Sequence, residues 1–224
     1  MRKLVCIGGG EIPRYKNGKV LPYETKEIDE EIVRLSQKEN PKLLFISIAS
    51  SHPEEYFEGI KKVYEDLGCV VSHLNINQSY EDLENELLGA DIIYIGGGNT
   101  KYLIEKLNET GIDKLLIKAY NKGIVCSGLS AGSYCWFKYN YDSLEGMGVI
   151  NAINCVHYDQ KDETAKNKFY NVITEKKLVG YALDNCVAIE FIDDEIKIVK
   201  SNKNKNAYKV LENNNKVEEI ILEV

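Results

Sequence analysis

Gly123-Ile124-Val125-Cys126-Ser127-Gly128-Leu129-Ser130-Ala131-Gly132-Ser133 runs from an apolar stretch, through a serine flanked by glycines, into Ser133–Phe137, which reads as a helix. Gly-x-Ser-x-Gly between a strand and a helix is the pattern of a nucleophile elbow. Glycines two before and two after the serine let backbone and helix pack closely around a tight turn. The hydroxyl of Ser130 then stands clear at the edge of a sheet, beside backbone N–H groups that favour developing negative charge. A tight turn with an incidental serine is the plain alternative, and the strand–turn–helix context weighs against it.

Working outward, short apolar runs recur at Leu4–Ile7, Leu43–Ile48, Cys69–Leu74, Ile92–Ile95 and Ile124–Ser127. Amphipathic stretches lie between them: Glu24–Glu39, Pro53–Leu67, Tyr80–Leu88 and Thr100–Tyr120, the last broken at Gly111. Wholly apolar runs alternating with helices predict parallel strands covered on both faces, hence a doubly wound α/β sheet with right-handed crossovers. After about residue 178 the texture changes to short strands: Leu178–Leu183, Val187–Phe191, Glu195–Lys200, Ala207–Leu211 and Lys216–Leu222. Asp193-Asp194 and Asn213-Asn214-Asn215 mark turns between them. This tail reads as an antiparallel extension of the sheet within a single domain spanning residues 1–224.

The composition bounds the function. A chain of 224 residues with 44 % apolar content can bury a substantial core. A formal net charge of −7 argues against a nucleic-acid partner and offers no polybasic membrane anchor. No apolar stretch approaches the length of a signal peptide core or a membrane span, so the expected location is the cytoplasm. The six cysteines (Cys6, Cys69, Cys126, Cys135, Cys155, Cys186) form no Cys-x-x-Cys pair or zinc-spaced cluster, and read as reduced, buried thiols. No metal or organic cofactor is implied.

Ligands of open parallel sheets bind beyond the carboxyl ends of the strands. The residues placed there are Gly8-Gly9-Gly10, Ala49-Ser50-Ser51-His52, Gly96-Gly97-Gly98-Asn99 and the Ser130 elbow. A serine nucleophile needs a base, and the chain has three histidines. His157, after the run Val149–Ile153, ranks ahead of His52, which precedes Pro53; His73 reads as a strand-end residue. A carboxylate should orient the imidazole. Asp142, Glu145, Asp159 and Asp184 are all candidates, and the physics of the sequence does not choose among them. Gly96-Gly97-Gly98-Asn99-Thr100 ends a strand and opens a helix. It fits an oxyanion hole better than a phosphate cradle, since it matches neither nucleotide-binding glycine pattern. Asn99, Gly9 and Gly10 are candidate substrate-binding residues at the same edge.

Ile95-Gly96-Gly97-Gly98-Asn99-Thr100, the Gly128–Gly132 elbow, His157-Tyr158-Asp159 and Ala182-Leu183-Asp184-Asn185 together resemble the S51 family of serine peptidases, which includes aspartyl dipeptidases and cyanophycinases. The resemblance covers roughly residues 4 to 190. It implies a flavodoxin-like sheet of the class I glutamine amidotransferase kind, carrying the nucleophile. It further implies Ser130 as nucleophile, His157 as base, and Asp184 as the third member where the family usually has glutamate. Gly97 and Gly98 match the oxyanion loop, with the Ala131 N–H as second donor. Val156 stands where the family often has proline. The implied activity is cleavage of short peptides through an acyl-enzyme. An N-terminal aspartate in the substrate would require a cation, for which Lys101, Lys138 and Lys161 are candidates. The other readings are an esterase or amidase using the same residues, and a non-catalytic binding module. Monomer and homodimer both remain open.

Overall fold

The apolar runs become parallel strands, and all but the edge strand have both faces covered. The computed structural model describes residues 1–16, 19–214 and 216–223. β1 (Lys3–Ile7) is followed by a small ribbon, β2 (Tyr15–Lys16) and β3 (Lys19–Val20), and by α1 (Lys26–Ser36). Next come β4 (Lys42–Ile46), α2 (Pro53–Asp66), β5 (Val70–His73), α3 (Tyr80–Gly89) and β6 (Ile92–Ile95). Helices α4 (Thr100–Thr110) and α5 (Ile112–Asn121) lead into β7 (Val125–Leu129). As the sequence predicts, Gly111 separates these two helices: it sits at φ 73°, where a side chain is strained, and caps α4.

Strands β5, β4, β6, β7 and β1 lie side by side and parallel. Successive residues of β1 point to opposite faces. Leu4 and Cys6 join a core with Leu83, Leu103, Leu107 and Leu116 from α3, α4 and α5. Val5 and Ile7 join a second core with Ile28, Ile32, Ile60 and Tyr64 from α1 and α2. The sheet is therefore sandwiched between two helical layers, and its loops at the carboxyl ends of the strands are left free to build a site. No helix among the described residues is long and apolar enough to cross a membrane. All six thiols are free and buried.

The second half departs from expectation in three ways. First, the helix expected over Ser133–Phe137 extends only to Tyr134. The helix after the elbow is a single turn, α6 (Ala131–Tyr134), and the chain then straightens into β8 (Phe137–Asn140). Trp136 and Phe137 are wholly buried, and Phe137 pairs with Ile150, so strand pairing and core packing override a longer helix.

Second, β9 (Ile150–Val156), a 3-10 turn at Tyr158–Gln160, α7 (Glu163–Lys176) and β10 (Gly180–Leu183) form a β–α–β unit of parallel strands. The α7 segment escapes a reading by periodicity because it buries only Phe169, Val172 and Ile173 in a largely polar stretch. Its one sequence signal is Asp162, whose carboxylate accepts the Ala165 N–H at 2.8 Å as an N-cap.

Third, the tail is divided between two sheets. β11 (Val187–Ile192) and β12 (Glu195–Lys200) extend the central sheet antiparallel beyond β1. By contrast β13 (Ala207–Asn213) and β14 (Lys216–Leu222) join β8, β9 and β10 in a separate sheet of order β14-β13-β10-β9-β8. Its inner side meets the central core through Phe137, Tyr181 and Phe191, whose rings pack edge to face or tilted. Asn215, in the predicted turn Asn213–Asn215, lies outside the described residues.

Candidate active site

Three loops dock on consecutive carbonyls at the end of β1. The N–H of Ser130 donates to Ile7 O at 3.1 Å, that of His157 to Gly8 O at 3.0 Å, and that of Cys186 to Gly9 O at 2.9 Å. Residues distant in sequence are thus pinned a few ångströms apart by backbone groups. A Cβ at Gly9 would lie 2.0 Å from Asn185 Oδ1 and 2.4 Å from His157 Nδ1, so only glycine leaves room for those side chains. The Gly8–Gly10 segment is the frame on which the site is assembled, rather than only a tight turn beside it.

The elbow has the geometry its sequence predicts. Ser130 adopts φ 55° and ψ −110°, a sparsely populated conformation for a residue with a side chain. Its neighbours enforce this. A Cβ on Gly128 would sit 2.0 Å from Gly132 O, and one on Gly132 would sit 2.1 Å from Ile95 O. The half-buried Ser130 hydroxyl lies 2.8 Å from His157 Nε2. On the other side of the ring, His157 Nδ1 lies 2.6 Å from Asn185 Oδ1. An amide oxygen only accepts, so Nδ1 carries the proton and Nε2 is left free to accept from the Ser130 hydroxyl. That is the tautomer a general base requires.

The residue beside the imidazole is therefore Asn185 and not Asp184. Asp184 Oδ2 accepts the backbone N–H of Asn206 at 2.8 Å, and the two backbones also pair, Asp184 N–H to Asn206 O at 3.1 Å. Burial raises the pKa of the Asp184 carboxyl above its ordinary value, with the Asn206 N–H acting in opposition. Neighbouring residues leaving a strand project to opposite sides, so a carboxylate one position away points elsewhere. Of the other candidate acids, Asp142 forms an exposed ion pair with Lys168 at 3.1 Å. Asp159 supports Asn185 indirectly: its Oδ1 accepts the Asn185 N–H at 3.0 Å while Lys205 holds its Oδ2 at 2.5 Å. Burial pushes the Asp159 carboxyl up, but Lys205 and the Asn185 N–H outweigh this and leave it below the usual range.

The glycine loop lies beside Ser130. A Cβ on Gly97 would be 3.3 Å from Ser130 Cβ, and the Gly97 N–H makes only a long 3.4 Å hydrogen bond to the Tyr56 hydroxyl. Gly98 also borders the cleft. The Ala131 N–H opens α6, but a single turn carries little macrodipole, so any contribution there comes from individual N–H groups. Asn99 is not among the residues lining the cleft; its side chain caps α4 by accepting the Tyr102 N–H at 3.0 Å. Gly10 does line it.

Ser130, His157 and Asn185 face a cleft of about 440 Å³. Its other wall comes from residues that the sequence left unmarked: Glu11, Arg14, Glu24, Glu55 and Tyr56. Nothing local distinguishes them, since they come from the loop after β1, the segment between β3 and α1, and the first turns of α2. Among the described residues no three His, Cys, Asp or Glu side chains converge as a metal site would need.

The chain is similar throughout its length to known peptidases. The uncharacterized peptidase YgaJ of Bacillus subtilis (strain 168) is 32 % identical over 235 aligned residues, covering 100 % of this chain and 98 % of the relative. The uncharacterized peptidase Lmo0363 of Listeria monocytogenes is 37 % identical over 149 residues, covering 62 % and 72 %. Peptidase E of Nostoc sp. is 36 % identical over 97 residues, covering 41 % and 38 %. Two solved structures share the fold. A putative peptidase E from Listeria monocytogenes has a TM-score of 0.66 at 22 % identity, over 89 % of this chain and 98 % of that one. A peptidase from an acI-B1 Actinobacterium has a TM-score of 0.71 at 19 % identity, over 99 % and 97 %. The model of peptidase family S51 matches residues 16–199, and with that match over well more than half of its length the chain belongs to peptidase family S51.

Proposed function

We propose that the protein hydrolyses short peptides by acyl transfer, with Ser130 as nucleophile, His157 as general base and acid, and Asn185 as the group that orients His157. The observation that carries this is the continuous chain Ser130 Oγ–His157 Nε2 at 2.8 Å and His157 Nδ1–Asn185 Oδ1 at 2.6 Å, facing an open cleft. The Ser130 hydroxyl transfers its proton to Nε2 as Oγ attacks the substrate carbonyl. The developing oxyanion is met by N–H groups of Gly97, Gly98 and Ala131. His157 then passes the proton to the leaving amine, and a water activated by the same imidazole releases the acyl group.

A neutral amide holds the tautomer as a carboxylate would, but it stabilises the imidazolium less. Serine–histidine–asparagine is thus the same logic with a weaker third member, as in cysteine peptidases that use asparagine. The cleft volume of about 440 Å³ lies in the range of small-ligand sites and fits a peptide of a few residues.

Labelling with a fluorophosphonate probe tests this directly. Wild type should be labelled at Ser130 and the Ser130→Ala protein should not. Equal labelling of both, or none of wild type together with no turnover of a dipeptide panel, would overturn it.

A further inference from the structure

We propose that the cleft accepts a peptide whose N-terminal residue is positively charged, a free α-ammonium with a neutral or basic side chain, and disfavours N-terminal aspartate. This rests on the reading of the cleft as the peptide site. Among the described residues, the charged side chains lining it are Glu11, Glu24, Glu55 and Arg14, together with His52 and His157. Three carboxylates therefore face one permanent cation.

That cation is already engaged. Arg14 Nη2 binds Glu11 Oε2 at 2.7 Å, and the guanidinium lies 4.4 Å from the centre of the Tyr56 ring. Its side chain is only 16 % exposed, so little of it is open to a substrate carboxylate. Glu24 is held differently. Its Oε2 accepts the Glu11 N–H at 2.9 Å, and its own N–H donates to Glu11 O at 2.8 Å. The carboxylate is fixed in place without a cationic partner among the described residues. It is also near the chemistry: a Cβ on Gly10 would lie 3.6 Å from Glu24 Cβ, and the preceding glycine backs onto the His157 ring.

The cations that an aspartate-binding site would need are elsewhere. Lys101 is highly exposed and pairs with Glu105 at 3.8 Å. Lys138 lies over the ring of Tyr139, and Lys161 over that of Tyr141. None of the three lines the cleft. A substrate carboxylate would enter a field of net negative sign in which the one permanent cation among the described lining residues is Arg14, largely buried and paired with Glu11. An ammonium entering there meets Glu24 already oriented, so little ordering cost remains.

Binding separates this inference from catalysis. Calorimetric titration of the Ser130→Ala protein with the dipeptides Lys-Leu and Asp-Leu at low salt should give about 10- to 100-fold tighter binding of Lys-Leu, the value of a charge-assisted hydrogen bond. In Glu24→Gln and Glu55→Gln variants of that protein the preference should shrink to a few-fold. Equal affinities, a preference for Asp-Leu, absence of binding by both, or a preference unmoved by either substitution would overturn it. Fluorophosphonate labelling of wild type, run in parallel, reports on the hydrolytic reading alone. Loss of labelling refutes that reading and leaves the binding comparison standing.

Discussion

Two serine–histidine pairs lie at the same edge of the central sheet. Ser130 Oγ meets His157 Nε2 at 2.8 Å, and Ser47 Oγ meets His73 Nε2 at 2.6 Å. Their surroundings differ. Ser130 sits on a strained turn facing the cleft, and His157 has Asn185 at its second nitrogen. Ser47 is buried, and His73 is stacked on Phe57 at 4.5 Å between ring centres. Burial lowers the His73 pKa, partly opposed by Glu54. Neither Ser47 nor His73 lines the cleft that Ser130 and His157 face. A hydrogen-bonded serine and histidine is therefore not a site by itself. Access, a fixed tautomer and donors for the developing charge distinguish one pair from the other.

The largest expected effect is at the nucleophiles. Ser130→Ala should lower kcat by about 10⁴-fold or more, as removal of a nucleophile does in serine peptidases. Ser47→Ala should leave kcat/KM near wild type and cost about 1 kcal/mol of stability through its lost hydrogen bond, read from urea unfolding. Comparable losses of activity in both variants would erase the distinction.

The third member gives the next effect. Asn185→Ala should lower kcat/KM by about 10- to 100-fold, less than the ~10⁴-fold seen when a triad aspartate is neutralised. Asn185→Asp should move the acid limb of the pH–rate profile to higher pH, because an anion beside Nδ1 favours the imidazolium. Asp184→Asn should leave that limb in place, since its carboxylate holds Asn206 and not His157. A shift with Asp184→Asn and none with Asn185→Asp would return the role to the aspartate.

The smallest effect lies at His73. A base whose pKa is lowered on folding binds its proton first in the unfolded chain. The stability it contributes is full above about pH 6.5 and is lost as pH falls through the unfolded and then the folded pKa. The difference in Tm between His73→Gln and wild type should therefore move in favour of the variant from pH 7.5 to pH 5. A constant difference would show that His73 is not the group that titrates.

The legible parts of this protein were those encoded locally. The runs that became β1, β4, β6 and β7 are buried on both faces, so the apolar pattern has almost no gaps to misread, whereas β5, at the sheet edge, is half exposed. Gly128 and Gly132 announced the elbow because close backbone packing excludes every other residue type. The second sheet was not legible, since β9 and β10 pair across α7, whose apolar stripe is three residues wide. Glu24 and Arg14 were invisible for a related reason. A charged residue outside a regular element reads the same in sequence whether it faces solvent or a cleft.

What the sequence determined alone is the chemistry on offer: a parallel α/β framework, a serine on a strained turn, and a histidine at the same edge. The choice between Asp184 and Asn185 belonged to the tertiary structure. The two are adjacent, and which one faces His157 depends on how the turn after β10 is held. Asn206 claims the aspartate, and the Gly9 carbonyl anchors Cys186 beside the asparagine. Those partners are distant in sequence, and a one-residue change in side-chain direction is set by such contacts and not by local propensity.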